Sequence, residues 1–106
     1  MSRTTAFALF LCTAAWSAQF PAPVEGDFVM HDFRFADGET LPELRIHYNT
    51  VGTPGTDAMI ILHGTGGNER EFLSQSFGDE LFGAGQILDA TRHFIILPDD
   101  IGHGRS

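Results

Sequence analysis

Apolar positions along this chain first alternate and later run together. Between Asp27 and Phe35, the residues Phe28, Met30, Phe33 and Phe35 are apolar, with His31, Asp32 and Arg34 among them. The phase slips once at His31-Asp32. Leu44, Ile46 and Tyr48 then alternate with Arg45, His47 and Asn49. Period-two alternation marks strands with one covered face. Asp37-Gly38 between the two stretches is a strong turn signal. The pattern predicts an antiparallel hairpin with strands over 27–35 and 43–51, preceded by an extended, proline-containing segment over 19–26.

After the loop at 52–57 the pattern changes. Ala58-Met59-Ile60-Ile61-Leu62 is a continuous apolar run, and so is Phe94-Ile95-Ile96-Leu97, closed by Pro98. Unbroken runs predict strands buried on both faces, as in parallel sheets. Between them, Phe72, Leu73, Phe77, Leu81 and Phe82 have helix-compatible spacing over 69–82, interrupted by Gly78. A connection of that length suits a right-handed crossover between parallel strands. The expected fold class is therefore α/β, with a hairpin feeding a β-α-β unit. No internal repeat or low-complexity tract appears.

The first residues follow a different rule. Met1-Ser2-Arg3 is basic, and Ala6 to Trp16 is apolar except for Thr13. Small residues follow, with cleavage expected after Ser17 or after Ala18. This is the layout of a secretory signal peptide, and the run is shorter than the ~20 residues a membrane span needs. The reading is a leader over 1–18, a domain over 19–106, a secreted or periplasmic destination and no stable membrane anchor. The single cysteine, Cys12, lies in the leader, so the mature chain is expected to form no disulfide. Small exported domains without such staples lean on a larger core.

Net charge is −8, with six basic residues, all arginine. The absence of a basic patch argues against nucleic acid and anionic membrane surfaces as partners. His31, His47, His63, His93 and His103 show no short ligand spacing, so the sequence gives no metal site.

The candidate chemistry lies in Ile61-Leu62-His63-Gly64-Thr65-Gly66-Gly67, a strand that ends in bare backbone amides. Gly64-Thr65-Gly66-Gly67-Asn68-Glu69 nearly matches a dinucleotide loop, but Glu69 stands at the third glycine position. The acids at the next strand's end, Asp99 and Asp100, lie about 35 residues on rather than the ~20 such a site wants, and no Lys-Ser or Lys-Thr pair follows for a phosphate loop, so no cofactor is expected. An oxyanion reading fits better. Tetrahedral intermediates of acyl transfer place charge on the former carbonyl oxygen, and backbone N–H groups stabilise it. Glycines let the backbone approach without a Cβ. The expected donor is the Thr65 N–H, supported by His63, Gly64, Gly66 and Gly67. His63 is read as orienting this loop rather than as a base. Asp99 and Asp100, at the end of the next strand, are read chiefly as shaping its loop. Gly102-His103-Gly104-Arg105-Ser106 is not the G-x-S-x-G elbow, so Ser106 is not the nucleophile by this pattern.

Four blocks carry a resemblance: Leu62–Gly67, Leu81–Asp89, Phe94–Asp99 and Ile101–Ser106. Together they resemble the N-terminal part of α/β-hydrolase-fold proteins, and more closely the homoserine O-acetyltransferase-like branch, from about Phe28 to Ser106. The resemblance implies a Ser-His-Asp mechanism acting on a small-molecule ester or acyl donor, with water or an alcohol as acceptor. Of its parts only the Thr65 loop has a counterpart here. No member of the triad is matched, so the chain is expected to be the N-terminal portion of a longer enzyme and inactive alone. Homoserine O-acetyltransferases tend to carry an alanine-leucine pair where Gly64-Thr65 stand, which makes an exported hydrolase of the same branch an equal expectation. The competing class is a small exported binding module whose glycine loop is only a turn.

Overall fold

The computed structural model of the chain describes residues 20–106. The leader expected over 1–18, and Cys12 within it, lie outside the described residues. Four strands form one mixed sheet: β1 (Val24–Arg34), β2 (Thr40–Val51), β3 (Asp57–Ile60) and β4 (His93–Pro98). Their spatial order is β1-β2-β4-β3. β1 and β2 pair antiparallel from Val24↔Thr50 to Arg34↔Thr40, which is the expected hairpin with longer strands. β2 pairs antiparallel with β4 from Tyr48↔Pro98 to Val51↔Ile95. β3 and β4 are parallel, from Asp57↔His93 to Ile60↔Ile96.

The hairpin turn forms where Asp37-Gly38 placed it. Gly38 has φ +92°, and its N–H donates to the Phe35 carbonyl at 3.0 Å. The phase slip also has a physical cause. Asp32 takes φ +53° in a rung missing between His31↔Glu43 and Phe33↔Leu41. Pro42 lies opposite and has no N–H to offer.

The helix predicted over 69–82 is not continuous. A 3₁₀ helix covers Glu69–Leu73, and a single α-turn, α1, covers Gly78–Leu81. Ser74 ends the first: its backbone turns extended, and its hydroxyl donates to the Glu71 carbonyl at 2.7 Å. Serine competes in this way with helical continuation. The apolar spacing nevertheless serves the core. Phe72 and Phe77 meet edge-on at 4.8 Å between ring centroids, Phe77 meets Phe82 at 5.8 Å, and Phe82 meets Phe20 at 5.5 Å. Gly78 permits this approach, because a Cβ there would stand 2.8 Å from the Phe72 carbonyl oxygen.

The buried core is Val51, Phe82, Ala90, Ile95 and Leu97, with Met59, Ile61 and the phenylalanines packed against it. It lies on one face of the sheet. The continuous runs predicted cover on both faces; every residue of β4 is buried or half-buried, whereas in the run at β3 this is corrected among the described residues, with Ile60 64% and Leu62 65% exposed. The third strand also stops at Ile60 rather than Leu62, although the Ile61 N–H still reaches the Ile96 carbonyl at 3.0 Å. In the connection before β4, buried Asp89 accepts from the Thr91 hydroxyl (2.6 Å), the Thr91 N–H (2.8 Å) and the Gly85 N–H (2.8 Å). Chiefly the Thr91 hydroxyl bond, then the two amides, hold its carboxyl below the usual range. No helix among the described residues is long and apolar enough to cross a membrane.

Candidate functional site

Residues 64–67 form a tight turn just beyond β3. The Gly67 N–H donates to the Gly64 carbonyl at 3.0 Å. Gly66 has φ +82° and Thr65 does not enter the left-handed region, a combination that fits a type II turn with glycine at its third position. Gly64, Thr65 and Gly66 are exposed, and no carbonyl among the described residues accepts from the Thr65 N–H. Open space surrounds the Cβ positions of Gly64 and Gly66, so a ligand has access to the backbone there.

His63 sits behind this turn with its side chain buried. Nδ1 donates to the Gly64 carbonyl at 2.9 Å, and Nε2 accepts the Asp100 N–H at 2.9 Å. The second bond fixes the tautomer, because an acceptor nitrogen carries no proton. The Gly64 carbonyl, then the Asp100, Asp99 and Glu71 carboxylates, draw the pKa of the ring upward against desolvation. The Asp100 N–H needs the Nε2 lone pair and favours the neutral ring, which is the form this geometry describes. With both nitrogens engaged, His63 ties the loop after β3 to the loop after β4.

Asp99 shapes that second loop. Its buried carboxylate accepts from the Glu69 N–H and the Arg105 N–H, both at 2.8 Å. Burial works against its charge, but these amide bonds outweigh it and hold its pKa below the ordinary value. Gly104, at φ +53°, packs so closely that an added Cβ would collide with the Asp99 carboxylate. Asp100 is only half-buried, with its carboxylate 4.0 Å from His63 Nε2. Ser106 uses its hydroxyl structurally, donating to the Asp99 carbonyl at 3.0 Å and accepting the His47 N–H at 2.9 Å.

One group of polar residues escaped the sequence reading. The alternation over β2 suggested that Leu44, Ile46 and Tyr48 face inward. Leu44 is buried, but farther along the strand His47, Asn49 and Val51 are the buried positions. Asn49 donates to Glu69 Oε1 at 3.0 Å, and His47 Nδ1 bonds Asp27 at 2.7 Å. Glu69 is 1% exposed. Burial first, and the neighbouring Asp99 second, push its pKa up. Buried polar side chains need partners, and these partners come from β1, the 3₁₀ helix and the loop after β4. Only the fold brings them together.

No protein-family model matches the chain. Its fold is similar to the crystal structure of homoserine O-acetyltransferase from Bacillus anthracis, with TM-score 0.61 and 22% identity, over 73% of this chain and 23% of that one. It is also similar to homoserine O-acetyltransferase from Staphylococcus aureus, with TM-score 0.59 and 17% identity, over 74% of this chain and 24% of that one. The chain thus spans about a quarter of the length of these proteins. The likeness shows the fold: this mixed four-stranded sheet matches the N-terminal part of an α/β-hydrolase-like fold.

Proposed function

We propose that this fold is the N-terminal part of a serine-dependent enzyme that cleaves esters or transfers acyl groups through an acyl-serine intermediate. In this reading the chain supplies one donor of the oxyanion hole, the Thr65 N–H. The observation that carries it is the exposed Gly64–Gly67 turn at the carboxyl end of β3, held against the loop after β4 by the two bonds of His63. Ligand sites of open α/β sheets lie beyond the carboxyl ends of the strands. A donor fixed there needs no reorganisation when charge develops.

The nucleophile, its histidine and its acid are assigned to chain beyond Ser106, and the first 106 residues alone are inactive. The substrate is a small-molecule ester or acyl donor, the acceptor is water or an alcohol, and no cofactor takes part. The leader over 1–18 directs the protein to the periplasm or the exterior. The structural neighbours support acyl transfer, whereas Gly64-Thr65 and the leader support an exported hydrolase.

Thr65→Pro tests the assignment. Proline suits the second position of a type II turn and removes the N–H, and Thr65→Ala, which keeps the N–H, accounts for the lost side chain. The full-length protein is expected to label with a serine-directed fluorophosphonate and to turn over p-nitrophenyl acetate. Thr65→Pro is expected to lower kcat by about 10²–10³-fold, the usual cost of one oxyanion donor. A folded full-length protein that neither labels nor turns over ester overturns the enzyme reading. Unchanged kcat in the variant overturns the role of Thr65.

A further inference from the structure

Away from the glycine turn, three ligand-bearing side chains converge from elements far apart in the chain. Glu25 lies on β1, His47 on β2, and Glu69 opens the 3₁₀ helix. One ligand atom from each falls within 4.8 Å of the others. His47 Nδ1 is taken by Asp27 at 2.7 Å. Its Nε2 faces Glu25 Oε1 at 3.4 Å and Glu69 Oε1 at 3.7 Å. That nitrogen is buried without a hydrogen-bond partner, in a residue only 5% exposed.

In the tautomer whose Nδ1–H donates to Asp27, the ring presents a lone pair at Nε2. A buried lone pair facing two carboxylate oxygens is repulsive unless something positive lies among them. A proton on Nε2 is one solution, with a long 3.4 Å contact to Glu25, and a proton on Glu69, whose pKa burial raises, is another. A metal ion is a third: the 3.4 Å between Nε2 and Glu25 matches the separation of neighbouring ligands, and Glu69 at 3.7 Å closes by a few tenths of an ångström on binding. Ligands at ~2.0–2.1 Å from a tetrahedral centre stand about 3.3–3.4 Å from one another. A carboxylate on the far nitrogen, as Asp27 provides, is the usual support of a metal-bound imidazole. One imidazole and two carboxylates suit a zinc-class ion better than calcium or magnesium, which take oxygen ligands.

We propose that Glu25, His47 and Glu69 bind one divalent transition-metal ion, with Asp27 as a positioning residue. Two arginines compete for the same oxygens. Arg70 Nη2 and Arg105 Nη1 lie 3.3 and 3.4 Å from Glu25 Oε1, and Arg70 Nε lies 3.8 Å from Glu69 Oε1. Both side chains are 56% exposed and free to swing outward when the ion enters. The bound ion clips β1, β2 and the segment after the glycine turn together. This site is independent of the acyl-transfer reading.

The test titrates the metal-free full-length protein with Co²⁺, followed by visible absorption, and with Zn²⁺ by calorimetry. One equivalent of Co²⁺ is expected to give a nitrogen/oxygen-ligated d–d band that Zn²⁺ abolishes. Glu25→Gln, at an exposed position where folding is retained, is expected to weaken binding more than about tenfold, and Asp27→Asn by about 10–100-fold. Arg70→Ala is expected to tighten it, whereas a purely structural role for the polar cluster predicts no gain. Failure of the folded wild type to bind either ion overturns the proposal. So does binding that Glu25→Gln leaves unchanged, which places the ion elsewhere.

Discussion

Nε2 of His63 accepts the Asp100 N–H at 2.9 Å while Nδ1 of the same ring donates to the Gly64 carbonyl at 2.9 Å. One neutral imidazole therefore sets the spacing between two loops that leave neighbouring parallel strands. His63→Ala removes both bonds and frees the turn that carries Thr65. On the proposed acyl-transfer reading, kcat of the full-length protein is expected to fall by about 10²-fold, comparable to loss of one oxyanion donor, with KM little changed. Amide exchange at Asp100 is expected to quicken. Wild-type kcat together with fast exchange separates the loop from the chemistry.

Asp89 gives the fold an acid limb. Its carboxyl is held below the ordinary value by the Thr91 hydroxyl and the Thr91 and Gly85 amides. A depressed folded pKa contributes stability that is present above the unfolded value, near 3.9, and is lost as pH falls through the folded value. Thermal melts of wild type and Asp89→Asn are expected to differ at pH 7 and to converge as pH drops below that range. Parallel curves down to strong acid contradict the assignment.

Gly52 and Gly104 tolerate no side chain. Gly52 has φ +99°, and an added Cβ would stand 2.5 Å from the His93 carbonyl oxygen and 2.6 Å from that of Ala90. Gly104 has φ +53° against the Asp99 carboxylate. Gly52→Ala and Gly104→Ala are each expected to cost at least about 2 kcal/mol, since both backbone strain and a collision are imposed. Urea denaturation of the full-length protein measures this. A loss under about 0.5 kcal/mol, the scale of ordinary surface substitutions, contradicts the packing described.

A polypeptide of only these 106 residues is expected to self-associate and to show no esterase activity. β3 pairs with β4 on one side, and Ile60 and Leu62 are 64% and 65% exposed. Exposed apolar edge strands template further pairing. Light scattering after gel filtration reads the outcome, and Ile60→Lys with Leu62→Lys is expected to reduce association. A monodisperse, cooperatively melting monomer that cleaves ester contradicts both this expectation and the assignment of the nucleophile to later chain.

The strands were legible in the sequence because each is a local pattern. Alternation gave the hairpin, Asp37-Gly38 gave its turn, and the two continuous runs gave the parallel pair. Even the slip at His31-Asp32 marked a real irregularity, set by Pro42 across the ladder. The helix-compatible spacing over 69–82 placed its break at Gly78, whereas the backbone leaves the helix at Ser74, because apolar spacing reports which residues reach the core and not whether the backbone between them stays helical. Ser74 breaks it through one hydroxyl bond. The glycine turn was visible from composition, but the partner of His63 Nε2 was not, since Asp100 lies on the next strand's loop. The buried face of β2 was hidden for a related reason. His47 and Asn49 look like solvent residues until the fold brings Asp27 to His47 Nδ1 and Glu69 to Asn49.

The spatial order β1-β2-β4-β3 separates the order of synthesis from the order of assembly. The hairpin closes through contacts local in sequence, a step on the order of microseconds. β3 emerges next but has no neighbour yet, because its partner β4 follows only after the whole connection has left the ribosome. At ~5–20 residues per second, that apolar segment waits for seconds beside a finished hairpin it does not touch. β4 then inserts between two strands that precede it and joins them in one event. During this interval β3 is unpaired and open to capture by a chaperone.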